Sequence, residues 1–591
     1  MNKITFNWLT GALFMLAAAT TISSCSDDHF TVDSGVSGRQ TLWESIVTND
    51  NLSEYADILS RVHYSKSKGN TTPESYARLF SNDQKFTVWA PQNGTFQYEY
   101  WKSLLDDGTV ESAYKVETEL IRNNMTRFNH LVSGNSAQKL KLFSGKSVVF
   151  DCANAMIKNQ HITQPNIGAK NGTLHITDGA IEYQPNLYEY LAIAADIDTL
   201  NTYIKGFEEI VFDEDQSTQG PIIDGNVTYV DSITYISNEF LYNYMNAYLN
   251  EEDSSYAVIM PTNEAWKKAY KRIATYFNYQ KEYTQDIVSL DGEVGDLSTT
   301  KRTTRFSEQE IDSMVRTFTS SSIAANLAFN TNAQFGHTVD EYAQPGACDS
   351  LRNTVYAVFK DPISATLFDG ASPVEVSNGY AFIVQNYNIP DTLTFLSKRD
   401  YRAENMLIKY DATKSEKPLS DECVYYGYTD AEGEYHQLDS VLTISTLHVI
   451  PKGNSQPNVT FRLPNTYSCK YDIYVVTAYN KNAGYPYQFR AALTYHNNNS
   501  TARSTNLTVP AGVLGSGNKF ETHPLVDETG VHFRDSVLVA QDFDLPVCYF
   551  NMSSDAYITL QITGVAAARS EYTNDMYIEK IVLVPKMRDD E

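Results

Sequence analysis

Tyr485 and Tyr487 flank Pro486 in the loop NKNAGYPYQFR, and two aromatic faces held apart by a proline could stack on the CH faces of a pyranose ring. No core easily takes both rings, so they are the candidate ligand-binding residues. Other constellations are weaker. Asp213, Asp215 and Ser217 alternate like the start of a calcium loop, with Asp224 at the twelfth place. The sixth position is Thr218 rather than Gly and the bidentate Glu is missing, so a solvated acidic loop is expected. The run GVLGSG from Gly512 to Gly517 lacks the Lys-Ser/Thr of a phosphate loop and is expected to be a turn. There is no G-x-S-x-G elbow, H-E-x-x-H helix, dinucleotide fingerprint or C-x-x-C pair, and the eleven His are scattered. Paired carboxylates for glycoside hydrolysis are defined by a spatial gap of about 5 to 10 Å that spacing along the chain does not reveal. No catalytic residue, metal ligand set or cofactor is therefore expected.

The elements that carry these residues begin with an N-terminal signal. One positive charge at Lys3 precedes an apolar run from Trp8 to Ala19 and small residues ahead of Cys25, too short to span a bilayer as a helix. The stretch Ile22-Ser23-Ser24-Cys25 resembles a bacterial lipobox, which implies acylation of Cys25 as the mature first residue. The following Ser26-Asp27-Asp28 resembles the acidic tag of Bacteroidota lipoproteins exposed on the outer face of the outer membrane. Residues 1–24 are thus expected to be a signal peptide and 25–39 a flexible tether.

Composition bounds the partners. The 591 residues carry 46 Lys plus Arg against 72 Asp plus Glu, a net charge of −26 that repels nucleic acid. Charged residues at 20% and apolar residues at 42% exclude wholesale disorder, and six Cys are too few for a disulfide-stapled scaffold.

Two pairs of similar strings recur in the same order. FTVWAPQNGTF at Phe86 and YAVIMPTNEAW at Tyr256 lie 170 residues apart, and KNGTLHITDGAI at Lys170 and SNGYAFIVQNYNI at Ser377 lie 207 apart. Each first string reads as a strand ending at Pro91 or Pro261, then a cap (Thr262 in one copy, Asn93 in the other) and a helix burying Phe96 or Trp266. Each second string reads as a hairpin turned by Asn171-Gly172 or Asn378-Gly379. Core stripes are expected from Leu52, Tyr55, Ala56, Leu59 and Val62, and from Val116, Leu120 and Phe128. The 37 additional residues of the second copy are assigned to the polar stretch 278–309, expected to be a mobile surface loop.

These strings resemble the fasciclin-like domain, whose hallmarks are a strand-to-helix T-V-F-A-P-T-N-E-A-F segment and an N-G hairpin. In the first copy Asn129-His130 occupies the place of the family's Tyr-His pair; the second copy has no His there, and Gln385-Asn386 replaces the family's Asp-Gly. The resemblance covers residues from about 40 to 395 and implies an α+β fold and a role in adhesion. His130 is expected to be a partly buried imidazole bonded to a backbone carbonyl, because no other ligand sits at metal spacing.

From residue 398 helical periodicity gives way to short strands such as YDIYVVTAY and MYIEKIVLVP. The expected layout is a fasciclin-like domain at 40–192, a second at 193–397, and a jelly-roll-like β-sandwich at 398–591. Asp followed by Ser or Thr and an aliphatic residue resembles the O-glycosylation signal of exported Bacteroidota proteins at Thr199, Ser232, Ser350, Thr392, Ser440 and Ser536. Such sites should lie in surface turns; a seventh, Ser313, falls in an apparent helix and is set aside. The expectation is a non-enzymatic surface lipoprotein, anchored to the outer membrane by lipid alone. It would adhere to or capture an extracellular glycan or protein, as an accessory to polysaccharide uptake. The alternatives are a glycan-active enzyme housed in the sandwich and a purely architectural envelope protein.

Overall fold

Two strands buried at every position, Phe86–Pro91 and Gly172–Thr177, run parallel in the register Phe86↔Gly172 to Pro91↔Thr177. They are the second and third strands of a seven-stranded sheet, and being covered on both faces they need no polar alternation. Val88, Ala90, Leu174 and Ile176 share one core with the helical residues Leu42, Tyr55, Leu59 and Leu120. Trp89 points the other way, into a second core with Phe150, Ile157 and Ile162. The computed structural model describes residues 38–587, leaving aside 216, 218, 224–225, 230–233, 289–298, 332–335, 345, 430–434, 480–484, 499, 524–532, 553–555 and 566–570. Cys25, the signal segment, most of the tether, Asp224 and Ser232 lie outside the described residues.

The chain divides into two compact units, Met1–Gln184 with Phe212–Tyr235, and Pro185–Val211 with Ile236–Glu591. The helix Leu187–Tyr190, which the sequence placed at the end of the first copy, falls in the second unit. The second unit repeats the motif of the first. Tyr256–Pro261 runs parallel to Gly379–Val384 in the register Tyr256↔Gly379 to Pro261↔Val384, flanked by the antiparallel Ala328–Asn330 and Pro373–Val376.

The asparagines of both hallmark strings act through their side chains. Asn171 Oδ1 accepts the Leu42 amide at 2.8 Å while its Nδ2 donates to the carbonyls of Phe80 and Asn82. Asn378 repeats this with the Leu187 amide at 2.8 Å and the carbonyls of Leu249 and Glu251. The two-residue turns are Lys170-Asn171 and Ser377-Asn378, one position earlier than expected, since Ala169 pairs with Gly172 and Val376 with Gly379. The glycines open the next strand instead. A Cβ on Gly172 would lie 2.0 Å from the Phe86 carbonyl oxygen, and one on Gly379 2.0 Å from that of Tyr256.

Asn93 is not the cap of the helix that follows it. Its Oδ1 accepts the Glu54 amide at 3.0 Å, in the first turn of the helix Ser53–Arg61. Asn263 treats the Thr199 amide at 2.9 Å in the same way, at the helix Asp198–Lys205. Each thus acts as an N-cap supplied from the segment two residues after a distant strand. Thr262 caps the helix Asn263–Ala274 as expected, accepting from the Ala265 amide, and Trp266 is buried. Phe96 is half-buried and precedes its helix, Tyr98–Asp107.

The stretch 278–309 is not a loose loop where it is described. Glu282–Val288 and Thr299–Arg305 form a seven-pair antiparallel hairpin. Tyr283 at its root is 1% exposed and donates its hydroxyl to the Cys548 carbonyl at 2.8 Å. Asn278 donates through Nδ2 to the Pro546 carbonyl, and its own carbonyl accepts the Cys548 amide. His496 spans the same seam with Nε2 3.2 Å from the Thr284 carbonyl. The second module and the strands after 398 consequently share one continuous core.

Those strands form two sheets. In one, Met576–Lys586 pairs with Arg399–Arg402 and Tyr435–Val449 on one edge and with Lys470–Ala478 on the other, closing the sheet into a ring. The other carries Asn458–Leu463, Ile558–Gly564 and Gln488–His496 at its centre. Phe461 and Leu560 of this sheet and Val475 and Ile581 of the ring belong to one sandwich-like core. No helix among the described residues is long and apolar enough to cross a membrane.

Candidate functional site

Strand Met125–Arg127 ends in a corner that turns the chain with Phe128 at φ +67°, a left-handed conformation rare for a bulky residue. The buried Thr87 holds the corner: its hydroxyl donates to the Phe128 carbonyl at 2.7 Å and accepts the His130 amide at 2.9 Å. The cost of such a backbone, of order 1–3 kcal/mol, is borne by the sheet beneath it. Its result is a phenylalanine ring 62% exposed. Phe128 therefore does not continue the stripe of Val116 and Leu120, which are buried.

Beside this ring lies a groove of about 560 Å³ lined by Tyr64, Arg122, Arg127, His130, Lys139, Lys141 and Phe143. Arg122 belongs to a buried network. Glu117 Oε1, in a side chain 1% exposed, accepts from Arg122 Nη2 at 2.6 Å, Tyr76 OH at 2.9 Å and the Ser65 amide at 2.8 Å. Burial works against the Arg122 charge, but Tyr76 and Glu117 outweigh it and hold the guanidinium protonated. This fixed arginine lies 5.2 Å from the Tyr64 ring centre and 5.8 Å from that of Phe143, and Arg127 lies 5.5 Å from Phe143.

One of the four cations is thus neutralised by Glu117. Among the described residues Arg127, Lys139 and Lys141 make no ion pair, and all three are exposed. Among the described residues no carboxylate lines the groove. In a chain of net charge −26, this is a local cationic pocket with an aromatic wall, suited to an anion that also presents an apolar face.

His130 is half-buried, as expected, and a second, fully buried imidazole lies beneath it at His175. Its Nδ1 accepts the Asn166 amide at 3.2 Å, so Nε2 carries the proton and donates to the His130 carbonyl at 2.8 Å. The ring stacks on Trp89 and is fully buried, and burial pushes its pKa down to about 4. His130 itself lines the groove with its own ring.

The aromatic platform does not form. Tyr487 is 0% exposed, with its hydroxyl donating to the Ala478 carbonyl at 2.6 Å, whereas Tyr485 is 40% exposed. A core takes Tyr487 because the paired strand Gln488–His496 begins beside it. Gly515 and Ser516 form a short strand between turns, as expected of the glycine run. In the acidic loop Ser217 bonds back to the Asp213 carbonyl.

The Asp-Ser/Thr positions are mostly not in turns. Thr199 is helical and donates its hydroxyl to Asn263 Oδ1 at 2.8 Å. Ser350 and Ser440 are exposed strand residues, Thr392 is half-buried in a 3-10 turn, and Ser536 is a half-buried strand residue paired with Val476. Ser313 is helical. Cys152, Cys348, Cys423, Cys469 and Cys548 are thiols rather than disulfide halves. Sequence reading passed over Arg127, Lys139 and Lys141; the available signal was basic residues interleaved with Phe128 and Phe143 in an otherwise acidic chain.

No protein-family model and no curated protein matches the chain. Among solved structures it is similar to a FAS1 domain pair from the insect cell adhesion molecule fasciclin I, at 10% identity and a TM-score of 0.19, covering 59% of this chain and 97% of that one. It is also similar to an exo-β-1,3-galactanase from Phanerochaete chrysosporium, at 9% identity and a TM-score of 0.14, covering 74% of each chain. Likenesses this faint carry no argument about chemistry. The duplicated parallel strand pair and its asparagine clips are properties of the chain itself.

Proposed function

We propose that this chain is a non-enzymatic, lipid-anchored protein of the bacterial cell surface, built on two fasciclin-like modules, that captures an acidic extracellular glycan. The observation that carries the reading is the groove of the first module, where three exposed cations that make no ion pair among the described residues surround Phe128 and Phe143. Guanidinium and ammonium groups hold uronate carboxylates or sulfates by charge-assisted hydrogen bonds, and the rings take the apolar face of the sugar. The lipobox-like segment at Cys25 and the acidic residues after it support anchoring to the outer membrane, facing outward, in a Bacteroidota-type cell. Capture at that surface suits adhesion or an accessory role in polysaccharide uptake.

The test is an array of neutral, uronate-bearing and sulfated glycans, with acidic peptides alongside, probed with the full chain and with Lys139→Ala plus Lys141→Ala. Binding restricted to the acidic glycans, weakened by salt and lost in the double variant, is the expected result. Binding to acidic peptides alone would replace the glycan with a protein ligand. Shortened products released from any glycan would overturn the non-enzymatic reading.

A further inference from the structure

In the second module, His337 and Glu341 bracket the start of the short helix Val339–Ala343, and Cys348 returns to them through a turn in which Gly346 adopts φ +79°. One donor atom from each of the three lies within 4.8 Å of the others. Cys348 Sγ is 3.2 Å from His337 Nδ1, and that nitrogen is 3.7 Å from Glu341 Oε2. Around a tetrahedral Zn²⁺, with bonds near 2.3 Å to sulfur and 2.1 Å to nitrogen or oxygen, donors sit about 3.4 to 3.6 Å apart. Both separations agree with that spacing to within ~0.4 Å.

We propose that His337, Glu341 and Cys348 bind a divalent zinc-class cation, leaving a fourth position open to solvent or to a partner's ligand atom.

The surroundings orient each donor. Glu341 Oε2 accepts from the Thr338 amide at 2.6 Å and its hydroxyl at 3.0 Å, which fixes the carboxylate. The His337 ring stands edge-on to Tyr342, whose hydroxyl accepts the His337 amide at 3.3 Å. The Cys348 carbonyl accepts the Ser364 hydroxyl at 3.1 Å, which ties down the returning strand.

A nucleophilic cysteine would be the competing use of these groups. In that arrangement the acid orients the imidazole through the nitrogen that does not face the sulfur. Here sulfur and carboxylate both approach Nδ1, which is convergence on a point rather than a relay. When a cation binds, the thiol proton leaves to solvent and the metal takes its place, so affinity falls as pH falls.

The experiment titrates the full chain with Co²⁺ and Zn²⁺ at neutral pH. We expect one equivalent of Co²⁺ to give a thiolate-to-cobalt charge-transfer band that Zn²⁺ displaces, with the band absent in Cys348→Ser and affinity weakened roughly tenfold or more in His337→Ala. Zn²⁺ should also raise the thermal midpoint of the native chain but not of Cys348→Ser. Cys152→Ser serves as the control and should keep the band. Absence of the band, or its survival in Cys348→Ser, would overturn the assignment. Metal-free midpoints of the variants matching the native chain would show that lost binding is not lost folding. Capture at the groove is read independently and does not depend on this outcome.

Discussion

Asn171 holds the first amide of the helix Leu42–Val47, a contact 129 residues apart in the chain, and closes it at 2.8 Å in a buried position. The same side chain takes two carbonyls from the segment just ahead of the strand at Phe86. One amide group thus stitches the helix, the pre-strand loop and the hairpin together. Asn171→Ala would leave a buried N–H and the two carbonyls to find other partners. We expect a loss of about 3 kcal/mol, with a similar loss in Asn378→Ala, measured by urea unfolding followed by hydrogen exchange in each unit. Unchanged protection of the helix Leu42–Val47 in Asn171→Ala would show the clip to be incidental.

His175 makes the first unit sensitive to acid. Its folded pKa, near 4, lies below the value of about 6.5 expected in an unfolded chain, so between these limits the unfolded chain binds a proton that the fold excludes. The contribution is complete above pH 6.5 and declines as pH falls toward 4, by up to ~3 kcal/mol. Thermal midpoints of the native chain from pH 7 to pH 4.5 should therefore drop more steeply than those of His175→Gln. Parallel slopes would remove His175 as the cause.

Phe128 separates stability from binding. Glycine tolerates φ +67° without strain, and the ring it replaces buries little, so Phe128→Gly should hold or raise stability by up to about 1 kcal/mol. The same change should weaken glycan capture, because the exposed face of the groove is gone. A variant that binds as well as the native chain would move the ligand away from this corner.

Tyr485 and Tyr487 should behave oppositely. Tyr487→Ala opens a cavity where a whole ring and a hydrogen bond are buried, at a cost of about 3 to 5 kcal/mol. Tyr485→Ala should change stability by no more than about 0.5 kcal/mol. Denaturant midpoints of the two single variants check this directly.

Much of the repeated framework was legible in the sequence. The strings at Phe86 and Tyr256 are apolar without alternation and stop at proline, which only a central buried strand explains, and the N-G pairs marked the hairpins correctly to within one residue. The reach of Asn93, Asn171, Asn263 and Asn378 was not legible. Their partners are set by topology rather than spacing, so Asn93 looked like a cap for the helix beside it. The polar stretch after residue 278 misled for a related reason. Tyr283 is one aromatic among charged neighbours, and only the presence of Cys548 and His496 across the seam makes it a core residue. The groove escaped notice because Lys139 and Lys141 come from one strand and Arg127 from another, joined only when the sheet forms. At Phe128 the helical pattern continued in the letters while the backbone had already turned.

The hairpin rooted at Tyr283 has a practical consequence for dissecting this molecule. Cutting the chain near residue 397 would strip Phe277, Tyr279 and Tyr283 of the aromatic and carbonyl partners that Tyr467, Cys548 and Phe550 supply, exposing a sticky face on both fragments. The second module and the sheets after it should therefore be expressed, crystallised and digested as a single piece, with no protease-sensitive joint where composition changes.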